Sequence, residues 1–115
     1  MPLAVVRKED GTVVCARCVV TDSAWTRSKG LLGRASLDED EGILLRPAGS
    51  IHMFFMRFPI DAVFLDRDLN VLRVAVGLRP WRMASKRGAK AVLELPAGRC
   101  AQVGLAEGDR IVLET

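Results

Sequence analysis

The chain has no tyrosine, one histidine and three cysteines, and aromatics make up only 5% of it. Three is an odd number, so a fully paired disulfide framework is excluded. No apolar run approaches the roughly 20 residues of a membrane-spanning helix. The first residues, Met1-Pro-Leu-Ala-Val-Val6, form a short apolar patch that Arg7-Lys-Glu-Asp10 ends at once. That patch has neither the long apolar region nor the small-residue cleavage site of a secretory leader, so the expected location is the cytoplasm, with no membrane partner. The Gly-x-Ser-x-Gly elbow, the phosphate-binding Gly-Lys-Ser/Thr loop and the dinucleotide fingerprint are all missing, which removes the commonest hydrolase, nucleotide and dehydrogenase readings. There is no internal repeat and no low-complexity segment.

What remains is globular in composition. Of 115 residues, 50% are hydrophobic and 27% charged, a balance suited to one domain spanning residues 1–115. A chain of this size buries about two-thirds of its unfolded surface, enough for a core without metal or disulfide staples. The net charge is only +3, but it is unevenly spread. Asp38-Glu-Asp-Glu41 is an acidic cluster, whereas Arg79 to Lys90 holds five basic residues and no acid. A basic loop can attract phosphates or acidic partners; the plainer reading is a solvated loop that keeps the protein in solution.

Alternation and turn residues predict a mostly β (α+β) domain with one or two short helices, its many short strands suggesting a small barrel or a sandwich, with a closed or nearly closed β-barrel-like sheet the expected form. Leu3–Arg7 and Thr12–Val20 flank Asp10-Gly11, a hairpin signal. Thr21-Asp-Ser23 can cap a helix from about Ser23 to Leu32. Strands are expected at Gly42–Arg46, His52–Phe55, Asp61–Asp66, Val71–Leu78, Ala91–Leu95 and Arg110–Glu114, with a short helix at Arg99–Val103. Asp61–Asp66 is apolar on both faces, as a strand inside a closed or double-layered sheet requires. The expected core comprises Val14, Leu31, Leu44, Phe55, Val63, Leu65, Val74, Leu93 and Ile111.

Two stretches resemble the bacterial and archaeal "domain of unknown function 192" family. The first joins Gly30-Leu-Leu-Gly-Arg34, Glu41-Gly-Ile-Leu-Leu45 and His52-Met-Phe-Phe-Met-Arg-Phe-Pro-Ile-Asp61, running into Val63-Phe-Leu-Asp66. The second joins Val92-Leu-Glu-Leu-Pro-Ala-Gly98 to Gly104-Leu-Ala-Glu-Gly-Asp-Arg110. The resemblance covers roughly residues 24–113 and implies a compact barrel-like fold with one or two helices, and little mechanism. The tail from Gly104 to Leu113 is also similar to the Gly-Asp turn of cradle-loop barrels. Many family members carry an Asn-Thr pair between the Met-basic dipeptide and the proline. Here Arg57-Phe58-Pro59 lacks both residues, so no ligand role passes to them.

Chemistry, if present, centres on His52, the one imidazole. Arg57 and Asp61 lie beside it in sequence, and Arg34 follows the predicted helix. Two guanidinium groups, an imidazole and a carboxylate suit a small anionic or hydroxyl-rich ligand. The plainer alternative pairs Asp61 with Arg34 or Arg57 inside the fold. The leading expectation is a non-catalytic module that binds a small ligand or a protein partner through Arg34, His52, Arg57 and Asp61. The second is a hydrolase or isomerase with His52 as base and Asp61 orienting it. The third is a nucleic-acid-binding module using Arg79, Trp81, Arg82, Lys86, Arg87 and Lys90. It ranks last, and nucleic acid is not the expected partner, because Trp81 stands alone where single-strand binders carry several aromatics. The Met53-Phe-Phe-Met56 run reads as core packing. Cys15-Ala-Arg-Cys18 lies in a predicted strand, where residues three apart face opposite sides, so it reads as neither a zinc site nor a redox motif. No cofactor or metal is expected.

Overall fold

A computed structural model describes residues 3–21 and 34–115. The expected helix at Ser23–Leu32, and Leu31 of the expected core, lie outside the described residues. Among the described residues, nine strands and one short helix follow in order: β1 (Leu3–Lys8), β2 (Val13–Thr21), β3 (Glu41–Leu45), β4 (Ser50–His52), β5 (Ile60–Leu65), β6 (Val71–Leu78), β7 (Met83–Ser85), β8 (Ala91–Pro96), α1 (Arg99–Val103) and β9 (Ile111–Glu114).

Seven of the strands form one sheet in the order β6-β5-β8-β3-β2-β1-β9. Neighbours are antiparallel except β2 and β3, which run parallel. A parallel pair needs a crossover of a dozen or more residues, and residues 22–40 supply its length. The sheet curls until its two edges meet. Val71 N–H donates to the Asp109 carbonyl (2.7 Å), Gly108 N–H to the Val71 carbonyl (2.9 Å) and Ile111 N–H to the Leu69 carbonyl (3.0 Å). The domain is barrel-like, mostly β, with a short helix, as the alternation predicts.

Strands β5 and β8 are buried on both faces because two apolar clusters sandwich them. Val63 and Leu65 of β5, with Leu93 and Leu95 of β8, turn inward to meet Val6, Val14, Leu44 and Ile111. Ile60, Ala62 and Phe64, with Val92, turn outward onto Ile51, Met53, Met56 and Phe58. That outer layer is held down by a two-stranded sheet, β4 with β7, in which His52 pairs with Met83. The period-2 alternation of β5 thus feeds two cores at once.

Several expectations need correction. Strand β7 lies in a segment read as loop: three residues of it are too few to alternate visibly, and its partner β4 lies 33 residues earlier at the central pair, Ile51 with Ala84. Residues 53–56 form a turn and do not extend the strand from His52. Phe55 sits at its tip with φ 65° and is 68% exposed, so it is no part of the core. Val74 is half-buried and packs against the inner cluster. Finally, Cys15 and Cys18 do not face opposite sides. In the β1–β2 pairing, Ala4 opposes Cys18 and Val6 opposes Cys15, so three residue steps on β2 match two on β1. This bulge throws Ala16 and Arg17 outward together and turns both thiols into the inner core.

Candidate functional site

Asp61 is fully buried. A buried carboxylate must be answered by donors, and here the answer is backbone. Gly77 N–H donates to Oδ1 (2.9 Å), while Gly98 N–H (3.2 Å) and Cys100 N–H (3.0 Å) donate to Oδ2. Gly77 and Gly98 hold φ of 60° and 92°, which turn their N–H groups toward the carboxylate. One side chain thereby ties β5 to the end of β6 and to the start of α1. The expected guanidinium partners are absent from these bonds, and neither oxygen is directed at an imidazole. The Cys100 thiol is pushed up to about 12 by burial first, then by the adjoining Asp61 charge and a hydrogen bond to it.

Arg34 is also committed. Its guanidinium grips Glu41 through two bonds, 2.7 and 3.2 Å. That bond, above all, holds the Glu41 carboxyl below its ordinary range. The acidic cluster takes two further cations: Arg17 forks onto Asp40 (2.8 and 2.9 Å) and Arg99 reaches Glu39 (3.4 Å). Arg99 is anchored in turn on the Val14 carbonyl at 3.0 Å. This corner of the molecule answers its own charge.

His52 lies elsewhere, on an exposed surface built by β4, the turn at residues 53–56 and β7. Its ring lies 4.7 Å from Phe54 at 30°, Phe54 lies 6.0 Å from Trp81 at 29°, and Phe55 meets Trp81 edge-on at 4.8 Å. Backbone bonds fix the array: Trp81 N–H donates to the Met53 carbonyl and Met53 N–H to the Arg82 carbonyl, both at 2.8 Å. Phe54 is 38% exposed, Phe55 68%, Trp81 58% and Met83 67%. Trp81, like Phe55, sits in the left-handed region, with φ 69°. Buried Met53 and Met56 anchor this turn from beneath. The Met-Phe-Phe-Met run therefore divides: its methionines pack as expected, and its phenylalanines do not.

Arg57 is exposed and immediately follows this turn, and Arg79 and Arg82 flank Trp81. The charge pattern becomes legible only once β4 and β7 are paired. Residues 42–60 and 71–93 together carry eight Lys/Arg and no Asp/Glu, so all 14 acids lie in the rest of the chain. Of the three residues grouped with His52 from the sequence, Arg57 shares this surface, whereas Arg34 and Asp61 serve contacts within the fold. Phe54, Phe55 and Met83 were missed. The available signal was the juxtaposition of Phe-Phe with a cation two residues on, which a strand assignment hid.

The remaining nucleophiles are inward. A hydrogen bond from the Cys18 thiol lowers Cys15, and the same bond together with burial raises Cys18. The Cys15 thiol also reaches the Asp40 carbonyl, 3.4 Å away. Among the described residues no group of three or more His, Cys, Asp or Glu is placed to hold a metal ion. No helix among them is long and apolar enough to cross a membrane.

A family model described as DUF192, "Uncharacterized ACR", matches residues 5–113. A UPF0127 protein of Thermococcus sibiricus is 33% identical over 111 residues, which cover 92% of this chain and 71% of that one. A solved structure of a protein of unknown function from Novosphingobium aromaticivorans superposes with a TM-score of 0.79 at 25% identity, covering 96% of this chain and 83% of that one. A second solved structure, from Sinorhizobium meliloti, gives 0.81 at 21% identity, covering 96% and 91%, and shows the fold alone.

Proposed function

Because the chain belongs to the DUF192 family, whose description carries no activity, we propose that it is a non-catalytic binding module that takes an anionic partner on the aromatic and basic face built by β4 and β7. One observation carries the reading: Phe55 and Trp81 touch each other with their rings exposed, and both are held in the left-handed backbone region. Each such residue costs roughly 1–3 kcal/mol, a strain that persists chiefly where function uses it. Exposing large apolar rings adds a second cost that folding alone gives no reason to bear. The cations around them, with no acid in either contributing segment, select for negative charge. His52 and Arg57 keep the role expected of them, as polar contacts at the rim of this face. Arg34 and Asp61 act at one remove, by bracing the barrel.

The test is an amide-resolved NMR titration with inorganic tripolyphosphate and, separately, with glucuronate. Shifts concentrated in residues 46–60 and 79–90 are expected, with the larger response to the more highly charged anion. Shifts confined to the acidic corner, or none at millimolar anion, would remove the proposal.

A further inference from the structure

We propose that the anionic partner is single-stranded nucleic acid, with Phe54, Phe55 and Trp81 receiving bases and Arg79, Arg82 and the Lys86-Arg87 pair receiving phosphates; this deepens the reading above and rests on it. From the sequence Trp81 stands alone. The structure brings three more rings to it, from a segment 26 residues or more away (Phe55 to Trp81). Base stacking tolerates any sequence because every base offers a π-face, and it needs open ring surface beside a positive track. Both are present: Phe55 and Trp81 are more than half exposed. From Arg79 onward the chain runs through β7 and the turn after it with a cation every few residues. Among the described residues no ion pair reaches Arg79, Arg82, Lys86, Arg87 or Lys90.

Charge complementarity decides between classes of partner. A neutral sugar would use the rings and leave the cations without purpose. An anionic lipid surface would use both, but its apolar contact has to sink several ångströms past the headgroups. Here Arg57 follows Phe55 by two residues, Arg79 and Arg82 bracket Trp81, and His52 is itself one of the stacked rings. Insertion would drag those groups into the acyl region, at a steep cost for each charge. Stacking against extruded bases asks for no such burial. Duplex is disfavoured as well, because its bases are already stacked and paired.

The experiment measures fluorescence anisotropy of a labelled oligothymidylate of about twelve nucleotides, a length within the site sizes of single-strand binders. Binding is expected to weaken at least about tenfold in Trp81→Ala and far less in Trp81→Phe, since the phenyl ring keeps a stacking face. In Arg82→Ala/Lys86→Ala/Arg87→Ala the slope of log affinity against log salt should fall by about 2, as three lost phosphate contacts predict for a single strand. Thermal melts accompany each variant; all these residues are exposed, so the fold should survive. Three outcomes overturn the inference. Oligonucleotide binding that ignores Trp81→Ala, and is matched by inorganic polyphosphate, would leave a general anion site and no base recognition. Stronger binding to phosphatidylglycerol vesicles than to the oligonucleotide would assign the face to a membrane surface. Binding to none of the three probes would remove the anionic-partner reading too.

Discussion

Two regions of the molecule meet the same difficulty, arginine at a small protein's surface, in opposite ways. At the corner formed by β2, β3 and α1, Arg17, Arg34 and Arg99 each find a carboxylate from the 38–41 cluster. The β4–β7 face instead draws its cations from two segments, residues 42–60 and 71–93, that carry no acid at all. The corner also keeps its apolar groups inside, whereas the face displays Phe55, Trp81 and Met83. Mild overall charge conceals this division. The difference teaches that pairing at the corner is part of the fold's self-consistency, while the face leaves its rings and cations open, as the proposed partner requires.

If so, damage on the closed side should register as stability and damage on the open side as binding. The largest expected effect is at Asp61. Asp61→Asn keeps the shape but offers one acceptor oxygen and two donors where three N–H groups converge, so about 2–4 kcal/mol should be lost in denaturant unfolding. A loss below about 1 kcal/mol would mean that the carboxylate is not the brace described. Next is Glu41→Gln, which removes the grip of Arg34. It should cost on the order of 0.5–1 kcal/mol, and less in high salt, because the pair is partly exposed.

The same pair has a pH signature. Folding holds the Glu41 carboxyl below its ordinary value, with the Arg34 bond as the main cause. A lowered carboxylate contributes stability that is full above its unfolded value and is lost as pH falls through the folded one. Unfolding curves should therefore weaken below about pH 4.5 more in the wild type than in Glu41→Gln. Equal weakening would show that the pair contributes nothing measurable. The smallest expected stability change is at Phe55→Gly. Relief of a left-handed strain of about 1 kcal/mol offsets the lost ring contact and the added chain entropy, leaving the melting temperature nearly unmoved. A fall of several degrees would make Phe55 a structural residue and erase the contrast between the two regions.

Much of this architecture was legible in the residues. Val71–Leu78 and Arg99–Val103 agree end to end, because local alternation and flanking glycines define them. The double-sided burial of β5 was written in the apolar run Ala62–Leu65. Gly108-Asp109 forms the turn expected of it, with φ 90° at the glycine and the Asp109 carboxylate accepting from Ala106 N–H at 2.9 Å. The features that escaped are non-local. A bulge at Ala16–Arg17 depends on how β1 pairs, and it reverses the facing that a strict count assigns to the cysteines. Asp61 was identified as a residue needing partners, but those partners are the backbone amides of Gly77, Gly98 and Cys100, 16, 37 and 39 positions away. The proposed binding face suffered most: its rings come from two segments that only the pairing of β4 with β7 unites.

The closure of the sheet sets the order in which the chain can become safe. Strand β1 lies between β2 and β9, and Arg7 meets Glu114 across 107 positions. On a ribosome, β1 and β2 emerge early, yet one edge of β1 has no mate until β9 has been made. Through that interval the nascent chain presents an open ladder and an uncovered apolar interior, the condition in which two unfinished copies pair with each other. Slow closure of so distant a contact lengthens the interval. Losing the short segment Ile111–Glu114 would make that condition permanent, so a lesion of four residues threatens yield in the cell far more than their modest burial suggests.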